Sequence, residues 1–259
     1  ALFSFSRPQA ELHRRFAAPN ARVVEIGFML GDRLIERARS ARDRRTELRE
    51  LGLVEDLPVV LYAPSWYFRP ELIAMNEPML DALWNQREFN VIIKPHPNLL
   101  RPERCGGKNW RAILDSLRDR HVLILDDPDE PIYELMTVAD ALLSDISSVV
   151  YEFLFLDRPI VVHRHDRLLQ AIEGQPYLDQ IRNAVLQVQD PDGMIAALEE
   201  ALRIPSRQSE GRRRLVTERF FNVGTATDHA VRWIYREVGL TGDSAPPGAG
   251  DSHARIVSR

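Results

Sequence analysis

The sequence predicts an α/β protein built on a doubly wound parallel sheet, and two observations point there. Short runs of Val, Ile and Leu recur along most of the chain and are nearly continuous rather than alternating, the pattern of strands buried on both faces. Stretches of helical length and spacing separate them, as crossovers between parallel strands require. The 259 residues, 44% of them hydrophobic, suffice for a sizeable core.

Taken in order, the opening "ALFSFS" reads as a strand already in progress, and the chain starts at Ala1 without a methionine, so a fragment of a longer protein is expected. Further strands are expected at 23–26, 59–62, 91–94, 122–125, 141–144, 160–163 and 184–188. Crossover helices are expected at 70–88, 108–118, 132–139 and 148–156. Residues 32–51 predict one helix with seven arginines, five acids and a thin stripe of Leu34, Ala38, Ala41, Leu48 and Leu51. That helix suits either a solvated connector or a patch meeting a membrane surface or an anionic polymer. The expected domains are therefore 1–57, the end of a preceding domain with its connecting helix, and 58–240, the sheet domain. Residues 241–259, rich in Gly, Pro, Ser and Ala, are expected to form a disordered tail.

Composition narrows the function. A formal charge of -4 supplies no global attraction to nucleic acid, so none is expected as a partner. The single Cys105 excludes an intrachain disulfide and a multi-thiolate metal site, which makes a reducing, cytoplasmic location the natural expectation. No apolar run approaches the roughly 20 residues of a membrane span, and no basic-then-apolar leader opens the chain. Walker, G-x-G-x-x-G and G-x-S-x-G motifs are absent, and His163 and His165 have no evident third metal ligand, so they read as surface histidines with no metal expected.

Open parallel sheets bind ligands beyond the carboxyl ends of their strands, so residues just after each strand are the candidates. In "ADALLSDISSVVYEFLFLDRPIVVH" a Ser/Asp cluster interrupts an apolar region. Ser147 and Ser148 follow a strand and open a helix, where hydroxyls, free N–H groups and the helix dipole favour a phosphate. Ser147 as a plain helix cap, worth ~1 kcal/mol, fits the same residues. Glu152, within the second turn, suits a ribose diol, and Asp145 suits either the dipole or a tie on the loop. In "VIIKPHPNLL" two prolines hold His96 at a strand end, where imidazole can donate to a diphosphate or neutralise a departing phosphate; a structural histidine is the other reading. "FFNVGTATDHAVRWI" gathers Gly224, Thr225 and Thr227 at a last helix start, a second possible anion cradle, and Ser65 in "VVLYAPSW" sits at another strand-to-loop junction.

In order and approximate spacing, "VVLYAPSW", "IIKPHPNL", "ADALLSDISSVVYEFLFLDRPIVV" and "FNVGTATDHAVRWI" resemble the carboxyl-terminal domain of the CDP-glycerol glycerophosphotransferase family, which includes teichoic-acid primases and polymerases. The resemblance spans about residues 20–238, with "VEIGFMLGDRLI" similar to the family's interdomain crossover. Ile146 stands where the family commonly has an aromatic, Tyr67 where it has a basic residue, and Val223-Gly224 where it has Asp-Gly. The resemblance implies a Rossmann-like half of a GT-B fold that binds a CDP-linked donor. It implies that His96, Ser147 and Ser148 contact the diphosphate, that Glu152 lies toward the ribose, and that Gly224 and Thr225 complete the cradle. The implied enzyme moves a polyol phosphate, glycerol phosphate first among them, to a hydroxyl of a cell-wall or capsule polymer or lipid-linked acceptor. CMP leaves, no cofactor is needed, and the protein works in the cytoplasm or peripherally on the inner membrane face. A histidine of the amino-terminal domain is the family's expected base, and His13 has no motif for that role. A nucleotide-sugar glycosyltransferase, a UDP-sugar 2-epimerase and a non-catalytic nucleotide-binding module remain alternatives on the same residues.

Overall fold

The computed structural model describes residues 1–40 and 43–240. The chain opens with β1 (Leu2–Ser4), α1 (Arg7–Phe16), β2 (Val23–Glu25), α2 (Met29–Arg39) and α3 (Arg44–Glu50). Regular alternation follows through β3 (Val59–Ala63), α4 (Glu77–Asn85), β4 (Asn90–Ile93), α5 (Trp110–Asp115), β5 (Val122–Ile124), α6 (Ile132–Val138) and β6 (Ala141–Ser144). Next come α7 (Ser148–Phe153), β7 (Ile160–His163), α8 (Asp166–Ala171), α9 (Gln175–Ile181) and β8 (Leu186–Val188), then α10 (Pro191–Arg203), α11 (Ser209–Arg219) and α12 (Ala226–Glu237).

Two compact units divide the described chain: Ala1–Arg33 with the residues from Thr217 onward, and Leu34–Val216. Residues 34–57, which include most of the expected connecting helix, group with the sheet. In the smaller unit β1 and β2 pair in parallel, Leu2 opposite Val23 and Ser4 opposite Glu25. Gly27 there has φ of +92°, and a Cβ would fall 2.3 Å from the Phe221 carbonyl oxygen, so only glycine fits.

The larger unit holds an all-parallel sheet in the order β5-β4-β3-β6-β7-β8. From β3 the chain winds outward to β5, returns to the other side of β3 as β6, and winds outward to β8. The reversal falls between β3 and β6, paired from Val60 opposite Ala141 to Ala63 opposite Ser144. Every residue of β3, β4 and β6 is buried, which is why their sequences are almost wholly apolar, with Asn90 and Ser144 the polar exceptions at strand ends. Val60, Tyr62, Val91 and Ile93 meet Met79, Leu80 and Leu83 of α4 and Met194 and Leu198 of α10 in one core. Each such aliphatic side chain contributes about 1.5–3 kcal/mol by leaving water.

Two expected helices are divided. Within 70–88 a 3-10 turn at Pro70–Leu72 is followed by a separate start at α4, where the Asn76 side chain accepts the Met79 N–H at 3.0 Å and a proline occupies the first turn. Within 32–51 the Asp43 carboxylate accepts the Arg45 N–H at 3.2 Å and the Thr46 hydroxyl at 2.6 Å, starting α3 anew. Ala41 of the expected stripe and the expected tail 241–259 lie outside the described residues. Arg37, Arg44, Arg45 and Arg49 pair with Glu134, Asp140, Asp56 and Glu55 of the same unit. These arginines are engaged as surface pairs, each worth about 0–1 kcal/mol.

Candidate functional site

Loops after β3, β4, β5 and β6 enclose a cleft of about 520 Å³ beside the point where the strand order reverses. Ser65, Trp66, Lys94, His96, Ser147 and Ser148 line it, all within the larger unit. A second cleft, of about 420 Å³, lies at the amino ends of the strands. Its arginines are already engaged: Arg44 pairs with Asp140, and Arg158 donates to the Thr137 and Ala139 carbonyls at 2.6 Å.

His96 is exposed at the mouth of β4, between Pro95 and Pro97. Its Nδ1 accepts the Asn98 N–H at 3.1 Å, which puts the proton of the neutral imidazole on Nε2 and makes that nitrogen a donor. The ring stacks on Trp66, centroids 5.9 Å apart and planes inclined by 22°. Partial desolvation draws its pKa below the ordinary histidine value, favouring the neutral form. Lys94, the residue before Pro95, lines the same cleft and donates from Nζ to the Asp127 carbonyl. Burial lowers its pKa while Glu130, Asp127, Asp126 and Asp129 oppose the shift.

On the β6 side Ser147 caps α7, its Oγ accepting the Val149 N–H at 3.3 Å, and its carbonyl accepts the Tyr177 hydroxyl at 3.0 Å. The hydroxyls of Ser148 and Tyr133 lie near Glu152 and act to lower its pKa. Both serines line the cleft. Burial raises the Glu152 pKa, and burial with the Glu152 charge pushes Tyr133 up to about 12. Asp145 is 2% exposed and turns inward, accepting the Ser65 N–H through both carboxylate oxygens at 3.2 and 3.1 Å. Of its two expected roles this is the tie on the loop; it does not line the cleft. Burial, the largest influence, carries its pKa to about 6 against the opposing Ser65 hydrogen bonds.

Gly224 and Thr225 belong to the smaller unit. Gly224 has φ of +80° and Thr225 precedes α12 without a side-chain cap bond. The carboxylate of Asp32 accepts the Thr227 N–H at 2.7 Å, so an internal anion already meets this helix start. His13 of that unit bonds Ser4 Oγ through Nδ1 at 2.8 Å. His163 is not a surface residue: it is 6% exposed at the end of β7, and His165 caps α8 by accepting the Leu168 N–H at 3.0 Å. Among the described residues no cluster of three or more His, Cys, Asp or Glu could hold a metal.

Lys94, Trp66 and Tyr133 had no role in the sequence reading. Lys94 stands in the quoted "KPHP" and was within reach of it; the Trp66 stack on His96 and the approach of Tyr133 to Glu152 join residues 30 and 19 positions apart, visible only once the chain is folded.

The sequence model of a family described as CDP-Glycerol:Poly(glycerophosphate) glycerophosphotransferase matches residues 4–236. A teichoic acid poly(glycerol phosphate) polymerase of Staphylococcus epidermidis is 26% identical over 178 residues, 64% of this chain and 22% of that protein. A teichoic acid glycerol-phosphate primase of Bacillus spizizenii is 25% identical over 146 residues, 55% of this chain and 34% of the relative. The chain therefore spans about a third or less of these relatives' length. The solved wall teichoic acid polymerase TagF shares the fold with a TM-score of 0.67 at 21% identity, covering 92% of this chain and 58% of that one. A UDP-GlcNAc 2-epimerase from Neisseria meningitidis follows the same fold with a TM-score of 0.53 at 16% identity, covering 90% and 61%. No helix among the described residues is long and apolar enough to cross a membrane.

Proposed function

The chain belongs to the CDP-glycerol:poly(glycerophosphate) glycerophosphotransferase family, and from that premise we propose that its cleft holds the diphosphate of a CDP-linked polyol, glycerol first among them. The chain supplies the donor side of a transfer to a hydroxyl of a lipid-linked or cell-wall polymer. The acceptor oxygen attacks the distal phosphorus and forms the new P–O bond. The bond from that phosphorus to the bridging oxygen breaks, and CMP leaves with the electron pair. The acceptor proton passes to a base outside this cleft. Negative charge builds on the departing oxygen, where the Nε2–H of His96 and the ammonium of Lys94 can stabilise it without a cofactor or metal. A lipid-linked acceptor of this kind would be met at the inner face of the cell membrane.

One observation supports this reading above the rest: in a member of this family, His96, Lys94 and Ser147 meet in one cleft at the strand-order reversal. Calorimetry tests it. CDP-glycerol and CDP should bind the chain and UDP-GlcNAc should bind at least about tenfold more weakly, a difference of ~1.4 kcal/mol; a preference for UDP-GlcNAc would reverse the assignment.

A pH dependence follows. His96 titrates below the ordinary 6.5 and Asp145 near 6, so above that range the imidazole is a neutral donor and the carboxylate is ionised. As pH falls through about 6 Asp145 takes a proton that one of its accepting oxygens must carry, and the imidazole, held below its ordinary value by desolvation, charges on the acid side. In the complete protein kcat/KM, which reports the free enzyme, should be level near neutrality and fall on the acid side. An increase below pH 6 would mean that the imidazolium is the active form.

A further inference from the structure

Three neighbouring strand ends are joined by contacts that finish on His96. At the end of β6, Asp145 grips the Ser65 N–H with both oxygens, and Ser144 Oγ donates to the Ala63 carbonyl at 2.7 Å. Ser65 is followed by Trp66, whose indole N–H reaches the Arg104 carbonyl at 3.3 Å and whose ring faces the His96 imidazole. The β3–β6 ladder already ends at Ala63 opposite Ser144, so the sheet itself has no use for a buried carboxylate one residue further on. An ion there is desolvated to hold the loop at Ser65.

Prolines restrict the His96 backbone, but an exposed imidazole keeps two side-chain torsions. The Asn98 N–H fixes where Nδ1 lies, and a stacked indole fixes the plane of the ring. We propose that Trp66 and Asp145 are positioning residues: Asp145 anchors the backbone at Ser65, and Trp66, carried by that backbone, sets the plane in which His96 presents Nε2. This inference rests on the donor-site reading of the cleft, because a fixed Nε2–H is of use only where it must meet one developing charge.

The test begins without ligand, by nitrogen-15 NMR of the histidine-labelled 259-residue chain. In the parent chain His96 should hold its proton on Nε2 and titrate below 6.5. Trp66→Leu and Asp145→Asn should each give a mixed tautomer and a titration returned toward 6.5, while Trp66→Phe, which keeps a ring, should restore the parent behaviour. In transfer assays on the complete protein the first two should lower kcat about tenfold or more with the donor KM within about twofold, a misplacement effect. A folded Trp66→Leu chain with the parent tautomer and titration would overturn the proposal. Should Asp145→Asn fail to fold, the parent chain still decides its part: His96 signals that ignore the titration of Asp145, while the Ser65 amide follows it, would remove Asp145 from the relay. A parent chain that does not bind CDP-glycerol would sink the donor-site reading instead, and the ligand-free spectra would judge the relay separately.

Discussion

Replacing His96 by alanine should lower kcat for transfer in the complete protein by about a hundredfold to ten-thousandfold, the usual cost of removing a group that handles charge or protons in the transition state. The side chain is exposed and outside the core, so the fold should survive. What it does structurally is small: Nδ1 caps the 3-10 turn Pro97–Leu100, a contact worth about 1 kcal/mol. His96→Asn keeps an acceptor for the Asn98 amide and lacks the imidazole donor. It should therefore recover the stability without the rate. Affinity for CDP should fall by less than about tenfold, since one hydrogen bond to a charged group contributes roughly 1.5–3 kcal/mol at most and much of it develops only as CMP departs. Kinetics, calorimetry and thermal melts of the two variants separate these effects; transfer at the parent rate in His96→Ala would remove the residue from the chemistry.

The largest stability effect should come from a site remote from the cleft. Arg212 is fully buried, with Nε on Asp157 Oδ1 at 3.0 Å and Nη2 on the Asp157 and Pro205 carbonyls at 3.0 and 2.7 Å. Its Nη1 is buried without a partner, so the guanidinium depends on Asp157 for compensation. Asp157 in turn accepts the Ser209 hydroxyl at 2.6 Å and sits at a left-handed φ of +50° just before β7. Removing its carboxylate by Asp157→Ala strands a buried cation, which costs about 3–5 kcal/mol and should lower Tm by about 10 °C. Arg212→Met, which removes the charge and keeps much of the volume, should be milder because the Asp157 side chain stays partly in water. Equal losses from the two variants, measured by denaturant unfolding, would show that packing and not charge compensation dominates there.

Much of this was legible from residues alone, for physical reasons. The central strands are largely apolar because they are buried on both faces, so 141–144 and 160–163 could be placed to the residue. Helix bounds were harder: apolar spacing over 70–88 says nothing of Asn76, whose side chain restarts the helix with Pro78. That His96 and Ser147 would line a cleft beyond the strand ends was readable because flanking prolines and a helix-opening serine carry local meaning. The direction of a side chain was not. Asp145 turns inward to Ser65, 80 positions away, an outcome fixed by the register between β3 and β6.

The most direct test is a crystal of the chain soaked with CDP. Density for the diphosphate should lie between His96 Nε2, Lys94 and Ser147 at the carboxyl end of the sheet. Diphosphate seated instead beside Arg44 and Arg158, in the cleft at the amino ends of the strands, would contradict the assignment of the site and the mechanism derived from it.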